Sequence, residues 1–364
     1  MQIQLGGASF FYGVAIIIGL FSAVLLLLIN ANRKANRFLA LLLVFSSLWL
    51  IDAFFNASSI YAQYPDFYFK PIYYSFAFGP LIYFYVKSLV SKDFHFRKSD
   101  WLHFIPAVLQ GILYWVLTFQ SYEFKRWFWF DIHQPITYRI EFDGTFLSLM
   151  IYMFLSIQLV RVYQSWVKEN YSEVSRLNLQ WLKVVLALLI IWSTQWLFEV
   201  ILREFFDSYY DYYFSMLILG VLVIILAVGG ILQDNLSQLG FVPSVEDSNL
   251  IPSIDQILLQ TIKNEMETKQ SYLNPTLTLK QFAQEIDIPK RTISEHLNHG
   301  LEKSFIDFVN HYRVEEVKRR LSIGDQERYS LQGIAMESGF RSKATFYRVF
   351  KQLTGQSPSE YLQQ

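Results

Sequence analysis

A chain of 364 residues with zero formal net charge, 53% hydrophobic and 18% aromatic, is too apolar for an ordinary water-soluble protein, and its mean hydropathy of +0.25 says the same. The absence of Cys excludes disulfides, zinc ribbons, iron–sulfur clusters and thiol nucleophiles. The six His form no HExxH or comparable ligand spacing, and the neighbouring His296 and His299 fall in a polar helix, so no metal, cofactor or catalytic constellation is expected.

In chain order, seven apolar runs come first, at 9–29, 37–56, 71–91, 101–121, 146–167, 181–202 and 212–232. About twenty apolar residues cross a bilayer as a helix, and backbone groups in hydrocarbon must be satisfied within the segment. The runs therefore predict seven transmembrane helices. The first has no basic residue before it and is too long for the core of a signal peptide, so it reads as a span. Gly79-Pro80 and Pro106 are expected to kink the third and fourth helices. Between the fourth and fifth spans, WFWFDIHQPITYRIEFDG reads either as a short hairpin over the helix mouths or as an interfacial aromatic belt.

The first, third and fifth loops hold eleven Lys and Arg, against five in the second, fourth and sixth. Positive loops stay cytoplasmic. This predicts an external N-terminus and a cytoplasmic chain after the seventh helix. Polar residues inside spans are costly and are functional candidates by default. Asp52 and Asn56 are four apart on the second helix, and Gln195, Glu199 and Arg203 share one face of the sixth. With this topology both sets lie toward the outer leaflet. They would line an outward ligand pocket or pair among themselves.

After Leu232 the composition turns polar, and Gly240, Pro243 and Pro252 break it into a linker over 233–253. Ser253 with Gln256 predicts a capping box and a helix to about 269 with Ile254, Ile257, Leu258, Ile262 and Met266 on one face. Asn274-Pro275 ends it.

From Leu277 the chain repeats itself. Leu279, Phe282, Ala283 and Ile288 match Leu331, Ile334, Ala335 and Phe340 at an offset of 52, and Ile293 matches Phe346 one residue further. Each copy reads as helix, tight turn, helix. Asp287 and Gly339 occupy the turns, and both residue types tolerate a left-handed backbone. This is the pattern of a helix-turn-helix, whose second helix enters the major groove. Between the copies, Phe305, Phe308, Val309, Tyr312, Val317 and Leu321 stripe a helix of about 30 Å. Successive major-groove faces are about 34 Å apart, so this bridge would set the two recognition helices in adjacent turns.

These residues carry a resemblance. Residues 277–362 are similar to the DNA-binding domain of the AraC/XylS transcription regulators. The likeness rests on Ala283, Ile293-Ser294, Phe305 and Arg313, then on Ile334-Ala335, Gly339-Phe340, Phe346, Arg348, Phe350-Lys351, Gly355 and Ser357 through Tyr361. Asp287 and Glu302 stand where that family favours Gly. The resemblance implies double-stranded DNA as partner. Lys290, Arg291, Thr292, Ser294, Glu295 and His296 would face DNA from the first recognition helix, and Arg341, Ser342, Lys343, Thr345 and Arg348 from the second. From Asn274 on there are 13 Lys and Arg against 11 Asp and Glu, so nonspecific affinity is modest, and tethering or a homodimer would supply the rest.

The whole reads as all-α: a seven-helix transmembrane bundle over 1–232, the linker, and a cytoplasmic double helix-turn-helix domain over 254–364. The expected function is a one-component transcription regulator of a bacterial inner membrane, not an enzyme, responding to an external or membrane ligand. Alternatives are a transporter or channel with a regulatory DNA-binding tail, a membrane enzyme, and a bundle that merely anchors.

Overall fold

The computed structural model describes residues 6–91, 94–172, 179–206, 213–233 and 255–362. The expected linker, with Ser253 and Ile254, lies outside them. Among the described residues there is no strand, only an isolated bridge between Tyr171 and Thr278. The chain divides into two compact units: Met1–Arg161 with Leu179–Pro243, and Val162–Asn178 with Ser244–Gln364.

The first unit contains α1 (Gly7–Leu28), α2 (Arg33–Ala57), the short α3 (Ile60–Gln63), α4 (Phe78–Val90), α5 (Ile105–Thr118), α6 (Tyr122–Phe128), most of α7 (Tyr138–Asn170), α8 (Gln180–Phe206) and α9 (Tyr213–Ile231). Among the described residues six helical stretches are long and apolar enough to cross a membrane, and the third of the seven runs gives a shorter apolar helix, Ser75–Val90. Pro71–Tyr74 stay outside the helix, which shortens it.

The expected proline kinks take another form. Gly79-Pro80 fall in the first turn of α4, and Pro106 is in the first turn of α5, after a 3₁₀ segment over Lys98–Phe104. In a first turn the missing N–H has no intrahelical partner to lose. The expected hairpin is absent as well. Trp129–Thr137 is wound as a π-helix joining α6 to α7, with Pro135 inside it.

Packing in this unit turns small and polar residues inward. On α1 the buried positions are Ser9, Tyr12, Ala15, Gly19, Ser22, Ala23 and Leu26, at helical spacing. At Gly19 a Cβ would collide with Ser47 of α2 and lie 2.8 Å from Val223 of α9, so three backbones meet there because the residue is Gly. Large apolar side chains point outward: Ile17, Phe21, Val108, Ile112, Phe154 and Phe198 are all more than half exposed.

The second unit inverts that pattern. It holds the end of α7, then α10 (Gln256–Lys269), α11 (Leu279–Ile286), α12 (Lys290–Gly300), α13 (Phe305–Ser322), α14 (Leu331–Glu337), α15 (Lys343–Thr354) and α16 (Pro358–Tyr361). The cap of α10 is Asp255 rather than Ser253; its Oδ1 accepts from the Ile257 and Leu258 amides at 2.8 and 3.2 Å. Ile257, expected on the buried face, is 81% exposed, and Leu259 takes the inward place with Ile262 and Met266. Two cores lie along α13. Phe305, Phe308 and Val309 join Ile262, Met266, Phe282, Ile293 and Leu297. Val314, Val317 and Leu321 join Ile334, Phe340, Phe346 and Phe350.

Candidate functional site

Both expected turns form with a left-handed residue. Asp287 ends α11 at φ 54°, and Gly339 follows α14 at φ 94°. Glu302, before the bridging helix, is also left-handed at φ 53°. At Gly339 a Cβ would collide with the Tyr272 carbonyl oxygen and come within 2.9 Å of Arg313 Nε. The glycine therefore admits close approach as well as supplying the turn.

Arg313 sits where the two cores meet and is 1% exposed. Its Nε donates to the Tyr272 carbonyl at 2.8 Å and its Nη2 to the Asn274 carbonyl at 2.7 Å. Nη1 and Nη2 also reach the carbonyl and hydroxyl of Ser172 at 3.2 and 3.1 Å. The Ser172 amide donates to the Leu277 carbonyl at 3.0 Å, beside the Tyr171–Thr278 bridge. A buried guanidinium surrounded by acceptors fixes the entrance to α11 and the middle of α13 together. Arg320 ties the second motif in the same way, bonding Asp325 and Glu337 at 2.6 Å each. At α16, Ser357 and Glu360 form a capping box, and the hydrogen bond from the Ser357 amide holds the Glu360 carboxyl below its ordinary range.

Residues 282–364 match the family described as "Helix-turn-helix domain". Uncharacterized HTH-type transcriptional regulators of Staphylococcus aureus strains COL, MSSA476 and N315 are each 29% identical over 90 residues. That stretch is 25% of this chain and 12% of each relative, so the chain spans only about an eighth of their length. No solved structure matches the chain. Residues 282–364 are an AraC-type helix-turn-helix domain.

In this AraC-type domain the sequence-predicted DNA positions divide. Lys290, Arg291, Arg341, Lys343 and Arg348 are exposed on α12, α15 and the approach to α15. Arg291 pairs with Glu295 at 2.7 Å, one turn along α12. Ser342 caps α15, accepting from the Thr345 amide at 3.2 Å, and its hydroxyl donates to Thr345 Oγ1 at 2.9 Å. Thr292 and Ser294 are half-buried.

His296 departs from its expected place on the DNA-facing surface. It is buried, its Nε2 accepts from the Asp255 amide at 3.2 Å, and its Nδ1 lies 2.8 Å from the Thr292 carbonyl. With both ring nitrogens occupied, the side chain holds α10 to α12.

The polar residues of the first unit also divide. Asp52 and Asn56 line a cavity of about 330 Å³. Tyr61 and Tyr73 both donate to Asp52 Oδ1, at 2.5 Å each. Gln195 and Glu199 do not line it: they bond each other, and the Ser215 hydroxyl donates to Glu199 at 2.6 Å, joining α8 to α9. Arg203 lies on α8, and its side chain is outside the described residues.

Sequence reasoning missed a second carboxylate in the cavity, Glu141. Its Oε2 accepts from Gln110 and Tyr114, at 3.0 Å each. Tyr138, Glu141 and Phe142 all line the cavity, at the i, i+3, i+4 spacing of one helical face. That spacing was legible once the segment is read as helix rather than loop.

Proposed function

We propose that this protein is a membrane-embedded one-component transcription regulator, with a transmembrane sensing unit and a cytoplasmic AraC-type domain that binds promoter DNA. The observation that carries the reading is the union, in one chain, of this domain with a helical unit that presents its large apolar side chains outward. An outward apolar surface of that extent is unfavourable in water and favourable in lipid. The excess of Lys and Arg in the first, third and fifth loops supports an external N-terminus and a cytoplasmic C-terminal domain, where DNA is. Anchoring needs one span, and the larger unit with an internal cavity supports a sensing role.

The test is footprinting with the intact protein, purified in detergent, on DNA upstream of its own gene and neighbouring genes. The expected result is two protected segments about 34 Å apart on one face of the duplex, weakening as salt rises. Protection of no fragment, or binding insensitive to salt, overturns the reading. Reporters fused after Asn235 and near Gln134 should read cytoplasmic and external, respectively.

A further inference from the structure

The cavity in the first unit has a chemical character that no part of the DNA-binding reading uses. Two carboxylates, Asp52 and Glu141, face it from α2 and α7. Among the described residues no Lys or Arg lines it, and His133 is the one basic side chain among them. The His133 ring is held in place, with Nδ1 2.7 Å from Thr137 Oγ1 and its centre 5.2 Å from the centres of the Phe69 and Trp129 rings.

The neutral donors near the carboxylates are concentrated on one oxygen of each. Tyr61 and Tyr73 serve Asp52 Oδ1, and Gln110 and Tyr114 serve Glu141 Oε2. Glu141 Oε1 is buried with no hydrogen-bond partner among the described residues. A buried carboxylate oxygen without a donor is costly, and a donor brought by a ligand removes the cost.

Much of the remaining wall is aromatic, with Trp49, Tyr68, Phe69, Trp129, Phe142 and Trp196 beside Ala53, Asn56, Ser75 and Met216. Aromatic faces attract cations, more strongly where water is excluded. At about 330 Å³ the space is at the small end of ligand pockets. An anion would meet two carboxylates. Among the described residues no group of three or more His, Asp or Glu side chains could hold a metal ion.

We propose that this cavity binds a small organic ammonium ion, with its N–H groups on the Asp52 and Glu141 carboxylates and its carbon skeleton against the aromatic walls. The proposal rests on the sensing role given above to the first unit and names the class of ligand.

The experiment uses the intact protein in detergent and pairs of probes matched in shape: butylamine with butanol, and phenethylamine with 2-phenylethanol. Binding is read by calorimetry and by the thermal shift. The ammonium ions are expected to bind and raise the melting temperature, while the alcohols bind at least about tenfold more weakly, the loss of one charge-assisted hydrogen bond. Asp52→Asn and Glu141→Gln should each weaken ammonium binding by a similar factor. Equal binding of the amine and its alcohol, or no binding of either amine, overturns the proposal without any variant. Unchanged amine affinity in both substituted proteins, each confirmed folded by circular dichroism, overturns it independently. Footprinting separates this from the regulator reading: amine binding without any DNA protection sinks the regulator, and DNA protection without amine binding sinks only the ligand.

Discussion

The two units solve the burial problem in opposite senses. In the first, Ser22, Ser46, Ser47, Ser156 and Ser193 are buried while Ile17, Phe21, Ile112 and Phe154 face out. In the second, Phe282, Phe305, Phe346 and Phe350 are buried while Lys290, Arg341, Lys343 and Arg348 face out. One backbone geometry, the α-helix, serves both. On the membrane reading proposed above, what differs is which face the surrounding medium rewards. In lipid, helices gain little by hiding apolar side chains and associate through close packing and polar contacts. In water the apolar stripe itself drives the packing.

The largest test of that contrast concerns Arg313, a guanidinium that the second unit buries. Arg313→Ala leaves the Tyr272, Asn274 and Ser172 carbonyl oxygens without their donor and opens the junction of the two cores. Each buried acceptor left without its donor costs about 1–3 kcal/mol. Amide exchange in α13 and α11 should accelerate sharply in the intact protein, and DNA protection should be lost. Unchanged exchange in α13 would show that the guanidinium is dispensable.

A slightly smaller effect comes from placing a charge on the outer face of each unit. Ile112 is 55% exposed on α5 and Met336 is 44% exposed on α14. If lipid covers the first surface, Ile112→Lys costs about 2.5–3.5 kcal/mol at mid-span, and the protein level in the membrane fraction falls. Met336→Lys, in water, stays within about 0.5 kcal/mol. Equal tolerance at both sites breaks the contrast.

The two recognition helices offer a finer comparison. The α15 region presents Arg341, Lys343 and Arg348, whereas on α12 Arg291 is engaged with Glu295. Arg348→Ala should weaken DNA binding by about 1–3 kcal/mol if the side chain reads a base, or lower the salt slope by about one if it contacts phosphate. Arg291→Ala should do less, because Glu295 already competes for that charge. Titrations at several salt concentrations decide the matter, and a larger loss for Arg291→Ala reverses the ranking.

What was legible in the sequence follows from what periodicity encodes. It reports which residues share a face, so the stripe of α13 and the paired turns at Asp287 and Gly339 were readable. It does not report which distant segment meets that face. Nothing near Ser172 announces that it will reach Arg313, and nothing in α12 announces that His296 will turn inward to receive the Asp255 amide. The missed Glu141 has a different cause. Pro135 and the polar residues before it imitate a loop, and only a π-helical winding carries the chain through them to α7. The short third helix was hidden because Ile72, Tyr73 and Tyr74 continue the apolar run while the chain there is not helical.

The smallest predicted effect compares the two turns of the DNA-binding unit. Asp287 and Gly339 both have positive φ, and at Gly339 neighbouring backbone crowds the place a Cβ would take. A left-handed residue with a Cβ carries a strain of about 1 kcal/mol that Gly lacks. Gly in turn loses more freedom on folding, which offsets part of that gain. Asp287→Gly should therefore stabilise the first motif by no more than about 0.5 kcal/mol, read as slower exchange of the α11 amides. The reciprocal change is not its mirror: Gly339→Asp would meet both the strain and the Tyr272 carbonyl oxygen, and should loosen the second motif. If Asp287→Gly instead destabilises, the Asp side chain contributes something at that turn that its backbone angle does not explain.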